Sequence, residues 1–370
     1  MRCYNLSVLG TYLLYYVTII SSITITWVSQ HLKNIKYKKL SKWIFFSAII
    51  IPVLIAGLRD SVGSDFDNYV SIYDQLYYNF SGIIDAIINS RFEPSWVILN
   101  YLVRFIFDDV QFLFLISALL TWLLSFKAIY DNKDYINIGL SVLILLFIYY
   151  NMSFNIVRQV LAISISMLSI KPILEKRKWK FIIIMLFSSS FHYTAFVFIP
   201  AYWIINSKIG NTGLFKKVAI TLTSIVFVFF FQSIFNYFSN NINLFANYRN
   251  YNIEFSGFSI SSIILKIPVL LFIILNIKTL KLRGNSIHRL SILYVIGFIL
   301  MLLGSYSPYI NRISFFYDAT QIFLVPAIIQ SQSNKYHKIL YTYFVVLYYL
   351  SRFTYFYLYK GDSGTIPYNF

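Results

Sequence analysis

The residues best suited to chemistry in this chain are few and far apart in sequence. The stretch from Gly57 to Gln75, GLRDSVGSDFDNYVSIYDQ, gathers Arg59, Asp60, Asp65, Asp67 and Asp74 around Gly63, Tyr69 and Tyr73. Further on, Arg158 and Gln159 open one apolar run, His192 interrupts another, and Arg312 opens a third. A planar guanidinium suits bidentate recognition of phosphate or carboxylate and keeps its charge when half buried. Arginines at the ends of apolar helices either bind such a ligand, snorkel to headgroups, or pair with Asp60, Asp65 or Asp67. Asp65 and Asp67 are candidate general bases or orienting groups for a hydroxyl. The same carboxylates also suit backbone caps in a Gly-Ser-Asp turn. His192 titrates near neutrality and is a candidate base or donor; a lone histidine on an apolar face also serves as a satisfied core residue.

These groups sit in a chain of 370 residues that is 58% hydrophobic and 12% charged, with a mean hydropathy of +0.66. Soluble domains carry about 25% charged residues. Apolar runs of about 20 residues, the length that crosses a hydrocarbon core, recur from end to end. The class is therefore all-α, a polytopic integral membrane protein; a β-barrel would show short alternating segments instead. The first run, Tyr4 to Val28, is too long for a signal-peptide core and is read as a retained span. The net charge of +17 fits basic cytoplasmic loops beside membrane lipids rather than a nucleic-acid partner. A single Cys3 excludes an intramolecular disulfide framework and a cysteine-rich metal site. The chain carries no HExxH, no CxxC and no phosphate-cradling Gly-Lys loop, so neither a metal nor a nucleotide cofactor is expected.

Sidedness follows from the lysines. Lys33 to Lys42 place the end of span one inside, and span two (43–58) delivers Arg59 and an external segment, 59–110. Pro94–Phe107, with Arg104, is too short and polar to cross and reads as an interfacial or re-entrant helix. Spans at 111–129, 136–150 and 156–170 follow, the last ending at the basic cluster Lys171 to Lys180. If 181–205 were one span, Lys208, Lys216, Lys217 and Lys278 to Arg289 would fall outside. As a re-entrant hairpin it keeps them inside, with arms of about 11–13 residues rising about 16–20 Å and SSSFHY near mid-membrane. Irregular backbone at that depth needs protein or water around it, which marks the break as a candidate site. Spans at 218–237, 259–277, 290–304, 313–329 and 339–359 complete about ten transmembrane helices plus the hairpin, in a single domain, 1–370. The loop 238–258 is external and rich in Asn and Tyr. On this layout the lysines lie inside almost without exception, and the outer half keeps arginines.

Together these pieces resemble the EpsG-type, Wzy-like polysaccharide repeat-unit polymerases. The matching stretches are GLRDSVGSDFDNY, NIVRQVLAISI, SSFHYTAFVFIP and NRISFFY followed by Pro326, in the family's order. Ser64 stands where Thr is common. The resemblance implies a glycosyltransferase that moves a glycan chain from undecaprenyl pyrophosphate onto a lipid-linked repeat unit, at the outer face of a bacterial inner membrane. It implies pyrophosphate ligands at Arg59, Arg158 and Arg312, glycan contacts at Tyr69 and Gln159, and a base among Asp65, Asp67 and His192, which the motifs do not single out. A chain-length regulator and a repeat-unit flippase are the implied protein partners, and O-antigen, capsule or exopolysaccharide the implied product. A glycan flippase would instead show charge in a central cavity and repeat symmetry. An acyltransferase of surface glycans would place His and Arg early in the chain, on the cytoplasmic half.

Overall fold

A computed structural model describes residues 6–34, 37–206, 237, 260–282, 286–304 and 308–370, and the regular elements among these are helices. The first helices are α1 (Val8–Asn34), α2 (Lys38–Ser47) and α3 (Ile50–Gly57). α2 and α3 form one span, interrupted because Pro52 has no N–H for the Ala48 carbonyl. Ser22 Oγ of α1 donates to that carbonyl instead, at 2.7 Å. Ser29 and Ser41 exchange a second pair of such bonds between α1 and α2, at 2.7 and 2.8 Å. In lipid every backbone group must find such a partner inside the protein.

The segment 59–110, expected as an external loop, is not a loop. It folds into α4 (Phe66–Tyr78), α5 (Ile83–Asn89) and α6 (Pro94–Phe107). Phe66, Tyr69, Tyr73 and Leu76 of α4 fall on one face and pack with Trp96, Val97 and Val103 of α6. This small core closes against Leu113 and Phe114 of α7 (Val110–Asp131). α6 leaves Leu102, Phe105 and Ile106 exposed, an apolar face that suits a lipid interface. Close approach beneath this cap requires Gly57, where an added Cβ would sit 2.7 Å from Leu115 Cα.

α8 (Ile138–Tyr149) is buried along its whole length at the centre of the bundle. α9 (Val157–Met167) and α10 (Ile170–Leu174) make the next span. Then α11 (Lys178–Ser189) runs back along α9, the chain turns at Phe191–His192, and α12 (Ala201–Asn206) returns. Both ends of this excursion lie together: Asn206 Nδ2 donates to the Ile173 carbonyl at 3.0 Å, and Tyr202 Oη to that of Lys176 at 2.8 Å. The stretch 178–206 thus turns back on itself with its two ends side by side.

Its tip is not halfway along, as expected from arm length. Ser188 Oγ reaches the Ala162 carbonyl at 2.7 Å, and the turn ends beside Arg158. α11 rises about 18 Å, and the turn at Ser190–Phe191 with the extended His192 carries the chain on toward the start of α9.

The remaining helices are α13 (Ile260–Leu282), α14 (Leu290–Leu303), α15 (Pro308–Asp318), α16 (Gln321–Gln330) and α17 (Lys335–Phe353). Six helical segments among the described residues are long and apolar enough to cross a membrane. They correspond to the expected spans one, two, 111–129, 156–170, 290–304 and 313–329. The expected span 136–150 is the shorter α8; 259–277 and 339–359 are helical in α13 and α17. The expected span 218–237, apart from Tyr237, and the loop 238–258 lie outside the described residues. The end of the chain is not a loose tail: Thr365 and Tyr368 are fully buried, and Gly63 and Ser64 donate to the Gly364 and Ser363 carbonyls at 2.9 and 3.2 Å.

Arg289 donates to Asn206 Oδ1 at 2.9 Å and to the Leu174 carbonyl at 2.6 Å. Residues 206 and 289 therefore share one end of the bundle. Cysteines introduced in place of Ser207 and Ser286 are expected to label from the same side of the membrane. Labelling from opposite sides would mean that 181–205 crosses.

Candidate functional site

Three of the elements just described meet at Glu93. This residue precedes Pro94 at the start of α6, in extended backbone, and is 3% exposed. Its Oε2 pairs with Arg158 Nη1 at 2.5 Å, and its Oε1 lies 2.8 Å from His192 Nδ1. α6 is clamped to the hairpin tip beside it: Ser95 N donates to the Ser190 carbonyl at 2.9 Å, and the two hydroxyls are 2.7 Å apart. Burial pushes the Glu93 carboxyl up, but the Arg158 guanidinium and the His192 hydrogen bond outweigh it and hold the pKa at about 2. Glu93 is therefore a carboxylate at neutral pH. A carboxylate at Nδ1 fixes the proton of a neutral imidazole there and leaves Nε2 as the basic lone pair. His192 Nε2 is buried and has no hydrogen-bond partner among the described residues.

Around this dyad the structure gathers most of the residues expected from sequence. Arg158 lies in the first turn of α9, its cation 5.3 Å from the Phe92 ring, with 22% of its side chain exposed. The partners considered for it from sequence, Asp60, Asp65 and Asp67, give way to Glu93. The Tyr69 hydroxyl, buried under Trp96, accepts from Arg158 N at 3.5 Å. Burial raises the Tyr69 pKa, Arg158 opposes this, and the nearby Asp65 charge adds to it. Gln159 Nε2 donates to the Arg312 carbonyl at 2.6 Å, tying α9 to α15. The Arg312 side chain is exposed and close enough for its charge to act on His192.

Three expected residues stand apart from the dyad. Arg59 is 2% exposed, not open to a phosphate. It lies between the Phe114 and Phe154 rings at 4.6 and 4.8 Å and donates to the carbonyls of Ala56, Val62 and Phe154. Burial lowers its pKa to about 10, so it stays charged and cross-links the motif turn to the segment after α8. Asp67 is exposed in the first turn of α4, where a negative charge suits the helix dipole. Asp65 is half buried at the start of α4 and makes no side-chain cap. The capping role that its turn suggested is not the one it plays.

Gly63 explains why this turn needs glycine. Its φ is +101°, and an added Cβ would sit 2.8 Å from Asn155 Oδ1 and 2.9 Å from the Phe154 carbonyl oxygen. Gly63→Ala is expected to cost about 1–3 kcal/mol in backbone strain, with the contact cost added, read as a lowered melting temperature in detergent. An unchanged melting temperature would mean that the turn relaxes freely.

Glu93 and the intramembrane charges Lys266 and Asp318 are the polar residues that sequence reasoning passed over. A model of the EpsG family matches residues 42–370. No curated protein and no solved structure matches the chain.

Proposed function

The chain belongs to the EpsG family, a membrane protein of polysaccharide biosynthesis, and from that premise we propose that it is an oligosaccharide repeat-unit polymerase. The observation that carries this reading is the His192 imidazole, anchored at Nδ1 by Glu93 and with Nε2 unpaired among the described residues, beside two arginines. The acceptor is a hydroxyl of a lipid-linked repeat unit. As its oxygen bonds to the anomeric carbon of the donor glycan, its proton passes to His192 Nε2. The bond from that carbon to the undecaprenyl pyrophosphate oxygen breaks, and the pyrophosphate leaves with the electron pair. Arg158 and Arg312 offset the charge that builds on it. Glu93 holds the imidazole in the productive tautomer and stabilises the imidazolium that forms, as the carboxylate does in hydrolase triads. The donor is already activated, so the balance needs no nucleotide.

The residues divide into roles on this reading. His192 is the base. Asp65, near Tyr69 and uncapped, orients the acceptor sugar, and Asp67 serves the helix start. Tyr69 and Gln159 position Arg158 and Arg312 rather than grip the glycan. Arg59 holds the motif turn. The site faces the exterior, because the lysine-rich end of the bundle, with Lys171, Arg177 and Lys178, is the opposite one.

Arg158→Ala is expected to lower chain extension by about 10²–10³-fold, the loss typical of one group that stabilises developing charge. The readout is the surface-glycan ladder scaled to the amount of protein, since Glu93 is left buried without its cation; it should collapse to single repeat units. Loss of all surface glycan would favour a flippase, and an unchanged ladder would remove Arg158 from the site.

A further inference from the structure

On the far side of α15 lies a cavity of about 200 Å³ that the transfer chemistry does not use. α15 separates it from the Glu93 cluster: Asn311 lines the cavity, and the next residue, Arg312, carries the carbonyl that Gln159 bonds. Lys266 of α13 and Asp318 of α15 are buried, 8% and 4% exposed, and paired with each other. Arg352 of α17 and Asp362 of the C-terminal segment complete the charged lining, and Asp362 is exposed at the mouth. The aromatic rings of Phe356 and Tyr357 form part of the wall.

Ionisable groups inside a membrane bundle are expensive, and a buried ion pair is a poor source of stability. Their retention points to a ligand. Asp318 Oδ2 takes the Lys266 ammonium, whereas Oδ1 is buried with no hydrogen-bond partner among the described residues. It is an acceptor already stripped of water. The charges sum to zero, Lys266 and Arg352 against Asp318 and Asp362. A diphosphate would call for an excess of cations, and a metal ion for an excess of carboxylates. A neutral polyhydroxylated ring needs both kinds of charged partner for its hydroxyls and an apolar wall for its C–H face. The volume falls below the about 300–1,000 Å³ of sites for drug-sized ligands, which suits one ring and not a whole repeat unit.

We propose that this cavity is a second binding site that takes one neutral sugar ring of the glycan substrate, held by Asp318, Arg352 and Lys266. It rests on the transfer reading for the source of the sugar, and on its own lining for the chemistry. The test is saturation-transfer NMR on the purified full chain in nanodiscs, with glucose, galactose or N-acetylglucosamine as separate probes. At least one is expected to bind. Arg352→Gln should weaken it about tenfold, the effect of one charge-assisted hydrogen bond, and Phe356→Ala, which leaves the charges intact, should weaken it as well. Inorganic pyrophosphate should not compete. His192→Gln should keep the sugar signal, so failure of the transfer site and failure of this pocket are separately visible. Absence of binding by all three sugars, binding untouched by both pocket variants, or displacement by pyrophosphate would overturn the proposal.

Discussion

Glu93→Gln is expected to abolish chain extension and to destabilise the protein by about 3–5 kcal/mol, the cost of breaking a buried ion pair from one side. The carboxylate holds two cationic or polar partners at once, Arg158 at 2.5 Å and His192 at 2.8 Å. The amide cannot neutralise the guanidinium, and Arg158, with 22% of its side chain exposed, is too enclosed to be fully rescued by water. The amide can still meet Nδ1, but it no longer stabilises a protonated imidazole. The two consequences separate in a double variant. Glu93→Gln with Arg158→Met removes both charges, and replacing a whole buried pair by apolar groups is often near neutral. Its melting temperature in detergent should recover most of the loss, and its glycan ladder should stay absent. Recovery of the ladder with stability would reduce Glu93 to a structural tie.

His192→Gln is the second large effect. Losing a positioned general base costs about 10²–10⁴-fold, and glutamine keeps a polar group near Glu93, so folding should be largely preserved. The lipid-linked repeat unit should accumulate while the variant stays at normal abundance. Asp65→Asn is the control for the competing assignment. It should lower extension less than His192→Gln, since Asp65 lies at the start of α4 and not in the dyad.

The amino-acid sequence carried the all-α membrane class and singled out Arg158 and His192, which the structure brings to Glu93. Arg158 and His192 were legible because a charged or titratable group in an apolar run is costly and so conspicuous. The hairpin was expected because lysine sidedness could be kept in no other way, and the contacts between Asn206 and Ile173 fit a chain that turns back. Glu93 was passed over because Glu before Pro reads as an ordinary helix start; its burial against two distant elements is a tertiary fact. The signal that could have found it is the scarcity of acids, 14 against 31 basic residues, in a chain whose outer arginines need partners. Arg59 misled for the opposite reason. Its motif is conspicuous, but the Phe114 and Phe154 rings that enclose it come from elsewhere in the chain. The helical cap at 66–107 was foreseen only at Pro94–Phe107, although Phe66, Tyr69, Tyr73 and Leu76 repeat at helical spacing. Lys266 and Asp318 carry the same signature as Arg158, a charge within an apolar run.

The most direct measurement is extension of a lipid-linked repeat unit by purified wild-type and His192→Gln protein, with undecaprenyl-pyrophosphate-linked glycan as donor and mass spectrometry of the products. A base at His192 predicts dimers and longer chains from the wild type and, from the variant, at least about a hundredfold fewer with unreacted repeat units still bound. Equal extension by both proteins would contradict it.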